Sequence, residues 1–164
     1  MPSTYEPIYS TTFATTYASF TLTGLLTTYT DLVVVLGWVA GTDGSVIYVR
    51  FNSDTASNYS GTRLVSGGGG TGSYRDTAGG SGIYAGVTGT TGSVPSILIG
   101  NIMNYSNTTT YKTALFRQSN TGNIGAHVGL WKKTPEAITS ITFDLSSGTY
   151  GVGTTINIYG IKAA

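Results

Sequence analysis

Asp31-Leu32-Val33-Val34-Val35-Leu36-Gly37-Trp38-Val39-Ala40 is apolar at odd and even positions alike. A strand with water on one face alternates apolar with polar residues. A run apolar on both parities therefore predicts a strand covered on both faces and central in its sheet. Thr42-Asp43-Gly44 follows as a turn signal, and residues 45–52 then set Val46, Tyr48 and Arg50 against Ile47, Val49 and Phe51. The period of two marks a second strand, and the pair is expected to form a hairpin.

On the N-terminal side, residues 5–22 are expected to hold two short strands broken near 14–16, the second with Ala18, Phe20 and Leu22 opposite Ser19, Thr21 and Thr23. On the C-terminal side the pattern loosens over residues 53–92, which are rich in Gly, Ser and Thr, and one or two irregular strands are expected there. A single helical turn is predicted at 54–59, capped by Ser53 or Asp54. Alternation resumes at 96–105, 109–118, 122–132, 137–145 and 154–161. Nine or ten short strands, bounded by Gly, Asn, Ser or Pro, predict an all-β chain: a two-sheet antiparallel β-sandwich of jelly-roll type. It is read as one domain over residues 1–164, with 1–16 an N-terminal arm suited to adding a strand to a neighbour's sheet edge and 66–92 a Gly-rich excursion.

Composition agrees with that reading. The 164 residues include 29 Thr, 24 Gly and 12 Tyr, types that suit pleated strands and turns. Only 9% of residues are charged, against roughly 25% in an ordinary domain. Eight Lys and Arg against seven Asp and Glu lack the clustered positive charge that nucleic acid requires, so no nucleic-acid partner is expected. Association should rest on shape, backbone pairing and aromatic contact, with little salt dependence. There is no cysteine, which excludes disulfides, thiol nucleophiles and thiolate metal sites. No apolar run approaches a membrane span and no signal-peptide pattern opens the chain, so no membrane partner is expected and synthesis is placed in the host cytoplasm.

Glu6, Asp31, Asp43, Asp54, Asp76, Glu136 and Asp144 are scattered singly at strand ends and turns, where capping explains them better than paired acid–base chemistry. His127 is the sole histidine, and Gly125-Ala126-His127-Val128-Gly129 carries no serine elbow; a structural imidazole is expected. Gly67-Gly68-Gly69-Gly70 lacks the Gly-Lys-Ser/Thr ending of a phosphate loop. Asn52-Ser53-Asp54 begins like a calcium loop, but Ala56 stands at the next ligand position and no glutamate closes it. Asn58, Asn104 and Asn107 head glycosylation sequons, meaningful only in a eukaryotic secretory pathway. No enzyme activity, cofactor or metal is expected. Tyrosine is the positive signal, because its side chain supplies contact area at low entropic cost to proteins and sugars alike. Tyr5, Tyr9, Tyr59, Tyr74 and Tyr84 are the candidate interface or ligand contacts, whereas Trp38 and Trp131, on apolar strands, are expected in the core.

Several segments in order carry a resemblance. They are residues 32–39, Arg50-Phe51-Asn52-Ser53-Asp54 with Asn58-Tyr59-Ser60, Ile102-Met103-Asn104-Tyr105-Ser106-Asn107-Thr108 with Tyr111-Lys112-Thr113, Gly129-Leu130-Trp131, residues 137–142 and Ile158-Tyr159-Gly160-Ile161-Lys162. From about Leu32 onward the chain resembles a small β-sandwich domain common in virion proteins of tailed bacteriophages, both in tail fibres and in free-standing capsid decoration proteins. The resemblance implies a non-enzymatic virion structural protein located in the particle. A fibre tip needs a shaft, and no coiled-coil or triple-helical pattern precedes residue 32, so the expectation is a decoration protein cementing the assembled head. The major capsid protein or other virion proteins are then its partners, and a homotrimer would match threefold capsid positions. The alternative is a receptor-binding module of a tail or head fibre that holds host-surface glycan.

Overall fold

The computed structural model describes residues 5–67, 69–89 and 95–162. Among them twelve strands form: β1 (Glu6–Thr12), β2 (Ser19–Thr23), β3 (Asp31–Trp38), β4 (Val46–Phe51), β5 (Tyr59–Gly67), β6 (Gly70–Gly80), β7 (Ile83–Val87), β8 (Ser96–Met103), β9 (Lys112–Ser119), β10 (Asn123–Trp131), β11 (Ser140–Leu145) and β12 (Thr155–Ile161). They build an eight-stranded sheet, ordered β1-β12-β3-β8-β9-β10-β5-β6, packed on a four-stranded sheet, ordered β2-β11-β4-β7. The chain is all-β, and its antiparallel pairs nest: β3 with β12, β4 with β11 and β5 with β10. That nesting is the wrapping of a jelly roll.

The run that opened the sequence reading is β3, held between β12 and β8. Leu32, Val34, Leu36 and Trp38 point into the core with no exposure. The hairpin expected between residues 31–40 and 45–52 does not form. β3 takes both partners inside the large sheet, while β4 joins β11 and β7 in the small one. Between them the chain crosses from sheet to sheet, and its backbone groups are satisfied by a distant loop. Val39 N–H donates to Thr154 Oγ1, Gly41 N–H to the Thr149 carbonyl, and Gly151 N–H to the Val39 carbonyl. Thr42-Asp43-Gly44 is thus a corner of the sandwich.

Two further expectations are corrected. Residues 52–58 form turns with no helix, because the Asp54 carboxylate accepts the N–H of Ala56, two residues on, and closes an Asx turn in place of a helix cap. The stretch 53–92 holds three strands where one or two were expected, β5 and β6 forming a hairpin. Gly70, at φ 109°, supplies a backbone conformation at that hairpin's tip that side-chain-bearing residues rarely adopt. Of the expected N-terminal arm, Glu6–Thr12 pairs with β12 in its own sheet; residues 1–4 lie outside the described residues, as do 68 and 90–92 of the Gly-rich excursion.

The core is strongly aromatic: Trp38, Trp131, Tyr59, Tyr105, Tyr150, Phe51, Phe116 and Phe143 are all buried. Rings of this size each remove about 150–250 Å² from water, so they dominate the drive to fold. The two sheets differ in width, and that difference sets up the site. β2 lies over β1, where Phe20 and Tyr9 have ring centroids 5.4 Å apart. β7 lies over β10, where Ile83 fills the space left by Gly129. β5 and β6 continue past β7, so their inward face meets an open edge instead of a second sheet.

Candidate functional site

At that overhang the inward positions of β5, β6 and β10 turn polar. The register sets Arg63 of β5 between His127 of β10 and Tyr74 of β6. Tyr84, on the free edge strand β7, closes the group. Its ring stacks on His127 with centroids 5.4 Å apart and planes 16° from parallel. The Arg63 guanidinium carbon lies 3.9 Å from the Tyr84 centroid and 5.0 Å from that of Tyr74. The result is a pile of His127, Tyr84, Arg63 and Tyr74, held by ring stacking and cation–π attraction. Asp76 Oδ1 stands 3.3 Å from Arg63 Nε, without the alignment of a hydrogen bond.

Electrostatics follow from burial. His127 is 1% exposed, and neither ring nitrogen has a hydrogen-bond partner. Burial first, and the Arg63 charge second, push its pKa down to about 4, so the imidazole is neutral near pH 7. Burial raises the Tyr84 phenol above its ordinary value, so it stays protonated. Beside the pile, the Gln118 side chain lies against Gly86, which has no Cβ to displace it. Gln118 Oε1 accepts the Val87 N–H at 2.6 Å, and that bond fixes which end of the amide is which. Gln118 Nε2 is left buried with no partner. A cavity of about 230 Å³ opens here, lined by Arg63, Val65, Tyr74, Tyr84, Val87, Gln118 and Asn123. A hollow of about 380 Å³ shares Tyr84 with it, and another of about 420 Å³ lies around Thr62, Arg75, Val128 and Leu130.

Of the tyrosines singled out by sequence, the structure brings Tyr74 and Tyr84 together on either side of Arg63. Tyr59 is a correction, because it is fully buried and unavailable to a ligand. Its hydroxyl accepts the Phe51 N–H and donates to the Asp54 carbonyl, its ring stacks on Trp131, and burial raises its pKa to about 12. Tyr9 is half-buried against Phe20, and Tyr5 is exposed beside Tyr159 at the other end of the large sheet. Arg63, Asp76, Gln118 and His127 were missed as a group. The available signal was an inverted alternation in Arg63-Leu64-Val65, where the arginine takes the inward parity and the leucine the outward one.

The opposite, outward face of the large sheet has a different character. Leu64, Ile97, Met103, Ile124 and Val128 are 42 to 59% exposed there, on β5, β8 and β10, with β9 lying between β8 and β10. Between them run Ile99, Leu115, Ala126 and Leu130. Among the outward positions of β8, β9, β10 and β5, the charged side chain is Arg117, which donates to Asn101 Oδ1. Single exposed apolar residues are ordinary on proteins, but a contiguous patch marks an interaction surface.

Several other ionisable groups serve the scaffold. Arg50 pairs with Asp144, Lys133 with Glu136, and Lys162 with Glu6. Lys112, 1% exposed, donates its Nζ protons to the carbonyls of Asn107 and Thr110. Among the described residues no group of His, Asp and Glu is placed to hold a metal ion, and no helix is long and apolar enough to cross a membrane. No protein-family model, curated protein or solved structure matches the chain.

Proposed function

We propose that this chain is a non-enzymatic structural protein of a tailed-bacteriophage virion, decorating the assembled head as a homotrimer attached to the major capsid protein. The observation that carries the reading is the apolar outward face of the eight-stranded sheet, on which Leu64, Ile97, Met103, Ile124 and Val128 stand in water. The four strands β8, β9, β10 and β5, about 4.8 Å apart and each offering about seven residues at about 3.3 Å rise, give a patch of roughly 440 Å². That is the size of a contiguous apolar patch that marks an interaction surface. A patch of four strands whose outward charge is Arg117 holds little for a charged partner to select. A sister copy of equally neutral composition fits it, and each subunit of a closed ring covers its neighbour's exposed face. An interface of this kind also withstands changes of ionic strength, because few charges are available to screen.

Two measurements test the reading. Sedimentation equilibrium of the purified protein is expected to give three times the chain mass, unchanged from low to high salt, with Ile124→Lys/Val128→Lys shifting it to one. A wild-type monomer at every concentration overturns the trimer. Quantitative mass spectrometry of purified particles is expected to find many copies per head, and deletion of the gene to lower head stability. A handful of copies overturns the decoration role.

A further inference from the structure

The pile at the sheet overhang is not needed by the apolar face, which lies on the other side of the same strands. Trp38 Nε1 and Tyr150 Oη are also buried without partners, in the apolar core, so what marks this place is an unpaired amide that coincides with a cavity. Gln118 Nε2 and both His127 nitrogens lack partners, and Gln118 lines a cavity of about 230 Å³. That volume is below the range of drug-sized pockets and suits one ring. The lining has two kinds of surface. Gln118 and Arg63 bring N–H-bearing side chains to the lining, with Gln118 Nε2 just beneath its surface, while Val65 and Val87 bring apolar walls. The occupant must therefore carry acceptor oxygens at one edge and C–H groups at another. Charge narrows the class further. The Arg63 cation is offset by Asp76 at 3.3 Å, so the cavity has no clear surplus charge to attract an anion.

We propose that this cavity binds a single uncharged sugar residue, whose hydroxyl oxygens accept the free N–H of Gln118 and the guanidinium of Arg63, with its C–H groups against Val65 and Val87. The stack of His127, Tyr84, Arg63 and Tyr74 holds the guanidinium in place before the sugar arrives, which lowers the ordering cost of binding. The Tyr84 ring is already in contact with Arg63 and His127, so recognition rests on hydrogen bonds to the sugar's edge and not on stacking over Tyr84. The outward-facing trimer contact is independent of this site, and either reading stands if the other fails.

The experiment is a titration of ¹⁵N-labelled protein with glucose, galactose, mannose and N-acetylglucosamine, with glucuronate as the acidic counterpart, read at the side-chain amides of Gln118 and Asn123. One neutral sugar is expected to shift both amides with an affinity of about a millimolar, the scale of a few hydrogen bonds in a small open site. Gln118→Met, which keeps length but removes the donor, is expected to weaken binding by about tenfold. Asn123→Ala serves as a second variant if Gln118→Met does not fold, and is expected to weaken binding in the same direction. Absence of any shift with all four neutral sugars overturns the proposal, as does a response confined to residues away from the cavity. A response to glucuronate alone overturns the uncharged class.

Discussion

Asp54 shows how one carboxylate organises a stretch that the sequence marks only as polar. Its Oδ1 accepts the Ala56 N–H, and its Oδ2 accepts from Asn58 Nδ2 at 2.8 Å and from the buried Trp131 Nε1 at 2.7 Å. Burial works against its charge, yet the Trp131, Asn58 and Ala56 hydrogen bonds outweigh that, and its pKa is lowered. Asp54→Ala strands the indole N–H in the core and is expected to cost about 3 kcal/mol in urea denaturation, with Asp54→Asn costing less. His127 makes a pH prediction of definite sign. Its folded pKa of about 4 lies below the ordinary 6.5, so between those values the unfolded chain binds a proton that the folded protein refuses. Stability contributed by the neutral imidazole is present above pH 6.5 and falls as pH drops toward 4. Denaturation at pH 6.5 and at pH 4.5 should differ by about 2 kcal/mol, and His127→Phe should flatten the difference. As the sole histidine, it is the side chain whose ordinary pKa lies in that window. A wild-type profile flat across it would contradict the buried, neutral imidazole.

At the scale of elements, period-two alternation located most strands within a few residues, including β3, β4 and β8 to β12. It failed where side chains are small. β6 is Gly70–Gly80, whose Gly, Ser and Thr residues show no apolar alternation, and its strand character comes from pairing with β5. Pairing partners were equally hidden, since a turn signal between two strands reads the same whether the chain doubles back or changes sheet. The approach of β7 to β10 depends on one glycine. A Cβ at Gly129 would collide with the Ile83 side chain, so Gly129→Ala forces the sheets apart where β7 seats on β10. An expected loss of about 2 kcal/mol follows from overpacking a core contact. Ile83→Ala, which removes the γ carbons that the new Cβ would meet, should cost less in the Gly129→Ala background than in the wild type, a coupling that a double-mutant cycle measures.

For the whole molecule, an eight-stranded sheet opposed by four strands leaves two unfinished surfaces, one apolar outside and one polar at the overhang. If the apolar face closes against sister copies, stability is linked to concentration, because an oligomer that dissociates on unfolding gains stability by mass action. The thermal midpoint of the wild type is expected to rise with protein concentration. In Ile124→Lys/Val128→Lys it should be independent of concentration, with an unchanged far-ultraviolet circular dichroism spectrum. A wild-type midpoint that does not move over a hundredfold dilution argues against the self-association.

The sequence by itself determined that the chain is all-β, that Trp38 and Trp131 are core residues, and that its surface is nearly uncharged. These are local properties, because alternation reports which face of a strand is wet and composition reports what a surface contains. Tertiary structure alone decided that β3 pairs with β12 and β8, that Tyr59 is internal, and that Arg63 sits between Tyr74 and Tyr84 beside an unpaired Gln118 amide. The physical reason is that every strand exposes the same backbone donors and acceptors to any neighbour. Side-chain parity therefore leaves the partner open, and the choice is settled by packing between residues far apart along the chain.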